Sequence, residues 1–183
     1  TYDNLNYQAA ATRANDLVLW YKFDETSGVT ASDSSGNSRN GTLKNTTSSS
    51  WVTGVMGNAL KLDSGTLNSS VAGGQYVDMG SSWTIGGSMS ISSWIYFDAY
   101  SNWSKIIDMN NGENVDNIVF GIIGSSDRLG FDIKDTAGGD ESHHQNGASE
   151  LQKWFHISCT IDNASTNAAR MKFYKNGVFL GQS

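Results

Sequence analysis

The sequence predicts an all-β fold, an antiparallel β-sandwich or jelly roll. Three observations predict it. Short runs along the chain alternate apolar and polar residues with a period of two, the spacing of a half-buried strand. No stretch carries a convincing helical stripe. Between the runs lie segments dense in Ser, Thr, Asn and Gly, which together make up about two-fifths of the 183 residues and which favour turns.

Each element follows from its own pattern. Residues 1–16 are polar and irregular and read as a linker or N-terminal arm; a turn of helix over Gln8–Ala14 would have nothing apolar to anchor it. From Leu17 to Phe23, Leu17, Leu19, Tyr21 and Phe23 alternate with Val18, Trp20 and Lys22, which predicts a strand. Glu25–Gly41 is a long stretch of turn formers, and Asn45–Ser50 is loop-like. Asn58–Asp63 and Gln75–Met79 are short strands. Met89–Phe97 alternates most clearly: Met89, Ile91, Ser93, Ile95 and Phe97 take one face, and Ser90, Ser92, Trp94 and Tyr96 the other. Lys105–Met109, Asn117–Ile123, Arg128–Lys134 and Trp154–Ile161 read the same way. Met171–Lys175 and Val178–Gly181 flank Asn176-Gly177, the pair that a type I′ hairpin turn demands because both central residues need positive φ. Nine or ten strands result, in one domain over residues 17–183.

Composition excludes whole classes of function. Twelve Lys and Arg against 18 Asp and Glu leave a net charge of −6, the wrong sign for the basic stripe that displaces counterions from nucleic acid. Hydrophobic residues at 38% and aromatic residues at 11% supply a core and argue against disorder. Charged residues are only 16%, so uncharged polar groups must make most of the surface. There is no proline, and one cysteine leaves no partner for an intramolecular disulfide. No apolar run approaches the roughly 18 residues of a membrane span. The chain opens at Thr1 and reads as a processed or excised segment.

Six landmarks in order point to a family. They are Leu17–Leu43 (LVLWYKFDETSGVTASDSSGNSRNGTL), Gly57-Asn58-Ala59-Leu60, Gln75-Tyr76-Val77, Met89–Ile95 (MSISSWI), Trp154-Phe155-His156 and Phe173–Gly177 (FYKNG). Together they resemble the laminin-G-like, concanavalin A-like lectin/glucanase jelly-roll domains over roughly residues 17–181. The resemblance implies a further closing strand after the Asn-Gly hairpin, pairing near the first strand. This chain stops at Ser183, so the resemblance implies a domain short of its last strand, with that strand missing from this segment or supplied by another chain.

The candidate chemistry is recognition. Related glycanases need two carboxylates on one strand facing a cleft, and the four glutamates, Glu25, Glu113, Glu141 and Glu150, lack that spacing. No nucleophile elbow is present, so no enzyme activity is expected. For metal, the loop Asp33–Gly41 packs side-chain oxygens tightly, with Asp33, Asn37 and Asn40 as candidate calcium ligands. The same residues equally make Asx-turns and a glycine turn without an ion. Asp108–Asp116 is a second oxygen-rich loop, readable as a calcium-bearing rim or as a solvated hairpin. His143 and His144 read as an exposed loop rather than zinc ligands, because neighbours on a strand face opposite ways. His156 falls on the face opposite the core, and Cys159 shares parity with the core as an inert thiol.

Sugar binding needs aromatic platforms and Asn or Asp hydrogen bonds. Trp94, Tyr96, Trp103, Asp108 and Asn110 are the candidate ligand-binding residues, set against the plain alternative that these rings simply pack. N-x-Ser/Thr sequons, among them those at Asn45, Asn68, Asn102 and Asn163, would mark exposed loops on a secretory route. The expected function is a non-catalytic, lectin-like adhesion or recognition module of an extracellular or cell-surface assembly, with a glycan or surface protein as partner and calcium as the candidate cofactor. The alternative is a structural coat or filament component, of a cell surface or a virion, whose neighbouring chains pair through edge strands.

Overall fold

Alternation becomes strand wherever the chain has a partner within reach. The computed structural model describes residues 16–47, 50–63, 74–81, 87–101, 103–109, 117–134, 140–162 and 170–182. Thirteen strands and no α-helix occur among them, so no helix is long and apolar enough to cross a membrane. The chain divides into two compact units, Thr1–Trp83 and Thr84–Ser183.

The first unit holds β1 (Thr30–Ala31), β2 (Gly41–Lys44), β3 (Trp51–Thr53), β4 (Asn58–Leu60) and β5 (Tyr76–Asp78). β1, β2 and β5 form an antiparallel sheet in that order, and β3 pairs antiparallel with β4. Ala31 and Leu43 are its buried apolar side chains. The Asn58 amide and backbone N–H reach back to Asp24 and Glu25 and tie β4 to the preceding loop.

Leu17–Phe23 corrects the sequence reading. Among these residues only Tyr21 makes a ladder bridge, to Asp33. The backbone groups that a strand would offer a neighbour go to the turn instead. The Asn37 amide donates to the Leu17 and Val18 carbonyls, Arg39 donates to Val18, and the Trp20 N–H reaches the Asp33 carboxylate. Phe23 then leaves extended geometry at φ 58°, which ends any strand there. Conversely, β1 falls inside the Glu25–Gly41 run of turn formers, and β2 and β3 lie at the borders of the segments read as turn and loop.

The second unit is a β-sandwich. β6 (Met89–Ile95), β7 (Lys105–Met109), β8 (Asn117–Ile122), β9 (Leu129–Lys134), β10 (Asp140–Gln145), β11 (Phe155–Ile161), β12 (Met171–Lys175) and β13 (Val178–Gln182) form two four-stranded antiparallel sheets. Their orders are β10-β9-β8-β7 and β13-β12-β11-β6. One core lies between them: Phe120, Ile122, Leu129 and Phe131 from the first sheet meet Ile95, Phe155, Ile157, Cys159 and Phe173 from the second. Phe120 touches Phe131 within its sheet and Phe173 across the core, with centroids 5.8 and 5.9 Å apart. β11 shows the cause: its alternating side chains are buried and half-buried along all seven residues, as period two demands of a half-covered strand.

The β12–β13 turn is built as read. Asn176 and Gly177 sit at φ 51° and 79°, which is type I′ geometry and cheap only for these residue types. Asn176 also exchanges two bonds with His156, donating its N–H to the carbonyl and accepting the His156 N–H on Oδ1. His143 and His144 correct the sequence reading: they lie on β10, paired with Phe131 and Gly130 of β9, and both are half-buried. The run looked like a loop because His, Ser and Gln carry no apolar alternation, yet the His143 ring packs on Phe173 at 5.3 Å. Cys159 is a core thiol, and burial pushes its pKa up to about 12.

Candidate functional site

The two faces of the β13-β12-β11-β6 sheet divide cleanly. Ile95, Phe155, Ile157, Cys159 and Phe173 point to the core, so the residues between them point outward. The registers then set cross-strand rows. Trp94 stands opposite His156, Ser92 opposite Ser158, and Ser158 opposite Tyr174, which is opposite Phe179. Beyond Trp94 and His156 the same parity brings Tyr96 against Trp154.

Four rings thus make a patch at one end of β6 and β11. Trp94 meets His156 edge-on at 5.5 Å and 65°, and Tyr96 meets Trp154 at 5.5 Å and 55°. Trp94 and Tyr96 remain 42% and 41% exposed. Further along the same face Tyr174 and Phe179 form a second T-shaped pair at 5.6 Å, with Phe179 exposed. The Ser92 and Ser158 hydroxyls share the Tyr174–Phe179 row, next to the Trp94–His156 row. Burial lowers the His156 pKa, which favours its neutral ring. Lys175 is bonded to Glu150 and lies over the core-facing Phe155 ring, and Lys153 binds the other Glu150 oxygen at 3.0 Å.

The sequence placed Trp94 and Tyr96 on this outer face, and the structure agrees. Trp154, Tyr174 and Phe179 were not among the sequence candidates. Parity could have found the first two, since Trp154 and Tyr174 alternate with the buried Phe155 and Phe173. Phe179 was hidden by a register shift between Phe173 and Tyr174. Trp103 and Asp108 belong elsewhere. Trp103 precedes β7, at the edge of the opposite sheet, where its N–H bonds Gly124 and Lys105 lies 5.0 Å over its ring. Asp108 is an exposed β7 residue opposite Val119. Asn110 and the remainder of its loop, through Asp116, lie outside the described residues, as do the sequons at Asn68, Asn102 and Asn163.

Asp33, Asn37 and Asn40 are brought together in the first unit as a hydrogen-bonded clasp. Asp33 Oδ1 accepts from the Trp20 and Ser35 N–H groups at 3.1 and 2.8 Å. Its Oδ2 accepts from Ser35 Oγ and the Arg39 N–H at 2.8 and 2.9 Å. Burial alone would raise this carboxyl, but the four donors from Ser35, Arg39 and Trp20 outweigh it and bring the pKa to about 2. Asn40 Oδ1 accepts the Asp33 N–H at 2.9 Å, and Asn37 turns its NH₂ group toward Leu17, Val18 and Ser35. Calcium needs six to eight oxygens; it could bind here only by displacing these donors. Among the described residues, no three His, Cys, Asp or Glu side chains stand close enough to hold a metal.

The remaining titratable pairs have structural partners. His144 Nε2 and Asp132 Oδ1 are 2.9 Å apart across β9 and β10. Lys175 and Lys153 hold Glu150 ionised, with its pKa at about 2. A carboxyl held that low cannot serve as a general acid near neutral pH.

A family model described as the concanavalin A-like lectin/glucanases superfamily matches residues 71–183, more than half of the chain. No curated protein and no solved structure matches.

Proposed function

The chain belongs to the concanavalin A-like lectin/glucanase superfamily, and from that premise we propose that it is a non-catalytic, lectin-like recognition module of an extracellular or cell-surface assembly. Its glycan site is the outer face of the β13-β12-β11-β6 sheet, centred on Trp94 and Tyr96. The single observation that carries this reading is the four-ring patch of Trp94, Tyr96, Trp154 and His156, two rings of which stay more than two-fifths exposed. Exposed rings fixed by neighbouring rings offer flat apolar area at little entropic cost, which suits the C–H face of a pyranose. A glycan array probed with the wild-type protein and Trp94→Ala tests the reading, together with an assay for reducing-end release. Binding lost in the variant, with no sugar released by either protein, is the expected result; hydrolysis, or equal binding by both, overturns it.

One observation favours a second reading, a coat or filament component that assembles through strand edges. β6 (MSISSWI) and β13 (VFLGQ) are the edge strands of their sheet and carry no charge and no proline, the devices that normally blunt an edge. An array with no binder and an ordered oligomer by light scattering would favour this reading.

A further inference from the structure

The outer face has two aromatic platforms, and only one of them belongs to the Trp94 patch. Tyr174 and Phe179 make the other, on β12 and β13. The register places them in one row with Ser158 and Ser92. From β6 to β13 this row crosses three inter-strand steps, roughly 14 Å at ordinary strand spacing. One pyranose ring cannot touch both platforms. What lies between is hydroxyl and imidazole: Ser92, Ser158 and His156. No carboxylate shares these rows, in a chain whose net charge is −6, and the nearest outward cation along β12 is Lys172, one row further on, opposite Gln182.

We propose that the site takes a neutral, linear glycan of several residues, laid obliquely across the strands from the Trp94/Tyr96 platform to the Tyr174/Phe179 platform, rather than a single terminal sugar. This rests on the reading of Trp94 and Tyr96 as a glycan platform. The rings at the two ends stack on separate residues of the chain, and the serine hydroxyls between them bond the residues that bridge the gap. Both platforms are preformed, so a long chain gains the second contact without ordering the protein further.

The test is a length series. Neutral linear oligosaccharides of glucose, mannose, xylose and galactose, from two to six residues, are titrated calorimetrically into the wild type, Trp94→Ala and Phe179→Ala. Phe179 is 51% exposed, so its truncation leaves the core untouched, and thermal melting checks that each variant is folded. For the sugar that binds, affinity should rise about five- to tenfold between two and six residues, a gain of the size one aromatic contact supplies. Phe179→Ala should abolish that rise and leave the two-residue ligand unchanged, whereas Trp94→Ala should weaken every length. Affinity independent of length, or a Phe179→Ala variant indistinguishable from wild type while Trp94→Ala loses binding, overturns the extended site and leaves the platform reading intact. No binding by the wild type to any member of the series overturns both the neutral-chain proposal and the reading on which it rests; tighter binding to a sulfated hexasaccharide control overturns the neutral-chain proposal alone.

Discussion

Trp94 and His156 are directly opposed across β6 and β11, and their rings meet edge-on at 5.5 Å with planes inclined at 65°. The edge of one ring carries partial positive charge and the face of the other partial negative charge, so the contact fixes both. The indole is thereby held outward on its strand. A ligand meeting that face finds its platform already in place.

The Asp33 clasp should carry measurable stability. Asp33→Ala removes one carboxylate and strands three backbone N–H donors, at Trp20, Ser35 and Arg39. Partly buried donors left unmade cost about 1–3 kcal/mol, and the variant should melt at correspondingly lower temperature. Because the Asp33 pKa is depressed to about 2, its contribution is complete above the ordinary carboxylate range and is lost as pH falls through that range toward 2. A melting curve for Asp33→Ala that matches wild type at pH 7 would remove the clasp from the account.

Calcium should leave the Asp33 clasp unchanged. With four donors on Asp33 and the Asn40 oxygen committed, an ion would gain ligands there only by breaking these bonds. The difference in melting temperature between wild type and Asp33→Ala should therefore be the same in millimolar calcium and in chelator. A calcium-dependent rise of several degrees that Asp33→Ala abolishes would place an ion at the clasp.

Between pH 7 and 5 the histidines should set the acid response. Burial, with the neighbouring His144 charge adding to it and Gln145 opposing it, lowers the His143 pKa, and burial lowers that of His156. The unfolded chain takes up these protons near pH 6.5, and the folded chain only at lower pH. Stability is thus full above about pH 6.5 and falls as pH drops below it, until the folded sites also titrate. Asp33 and Glu150, with pKa values about 2, stay ionised in both states across this window. His143 Nε2 is buried without a hydrogen-bond partner, so His143→Phe should fit against Phe173 and flatten the acid loss. An unchanged pH profile in that variant would contradict the assignment.

Cys159 should ignore thiol reagents in the native state. It is 1% exposed and its pKa stands at about 12, so thiolate is scarce and unreachable at pH 8. Labelling should appear only in denaturant; rapid native labelling would mean that β11 opens readily.

What could be read from sequence was whatever one buried face dictates. Met89–Ile95 and Phe155–Ile161 alternate because half of each strand faces the core, and Asn176-Gly177 announces its turn because few other residues accept both angles. Leu17–Phe23 alternates equally well, but beyond the Tyr21–Asp33 bridge its backbone bonds go mainly to side chains of Asp33, Asn37 and Arg39, which no periodicity reveals. β10 was invisible because His143 is made a core neighbour by Phe173 and not by its own run. For the site, parity put Trp94 and Tyr96 outward, but pairing with His156 and Trp154, and the second platform at Tyr174 and Phe179, depends on register. Register is a long-range property that a single strand's pattern cannot state. Trp103 and Asp108 were grouped with Trp94 by residue type alone, and the topology assigns them to the other sheet.

The central claim is that ligand binds on the outer face of the β13-β12-β11-β6 sheet, and the indole N–H signals test it most directly. The chain has six tryptophans, and an ¹⁵N-labelled sample, with signals assigned by single substitution, can be titrated with the oligosaccharide that binds most tightly in the length series. The account predicts that the Trp94 and Trp154 signals shift together on one binding curve while Trp20, Trp51 and Trp103 stay in place. Movement of Trp103 alone, with Trp94 and Trp154 unmoved, would contradict it and place the site at the edge of the opposite sheet.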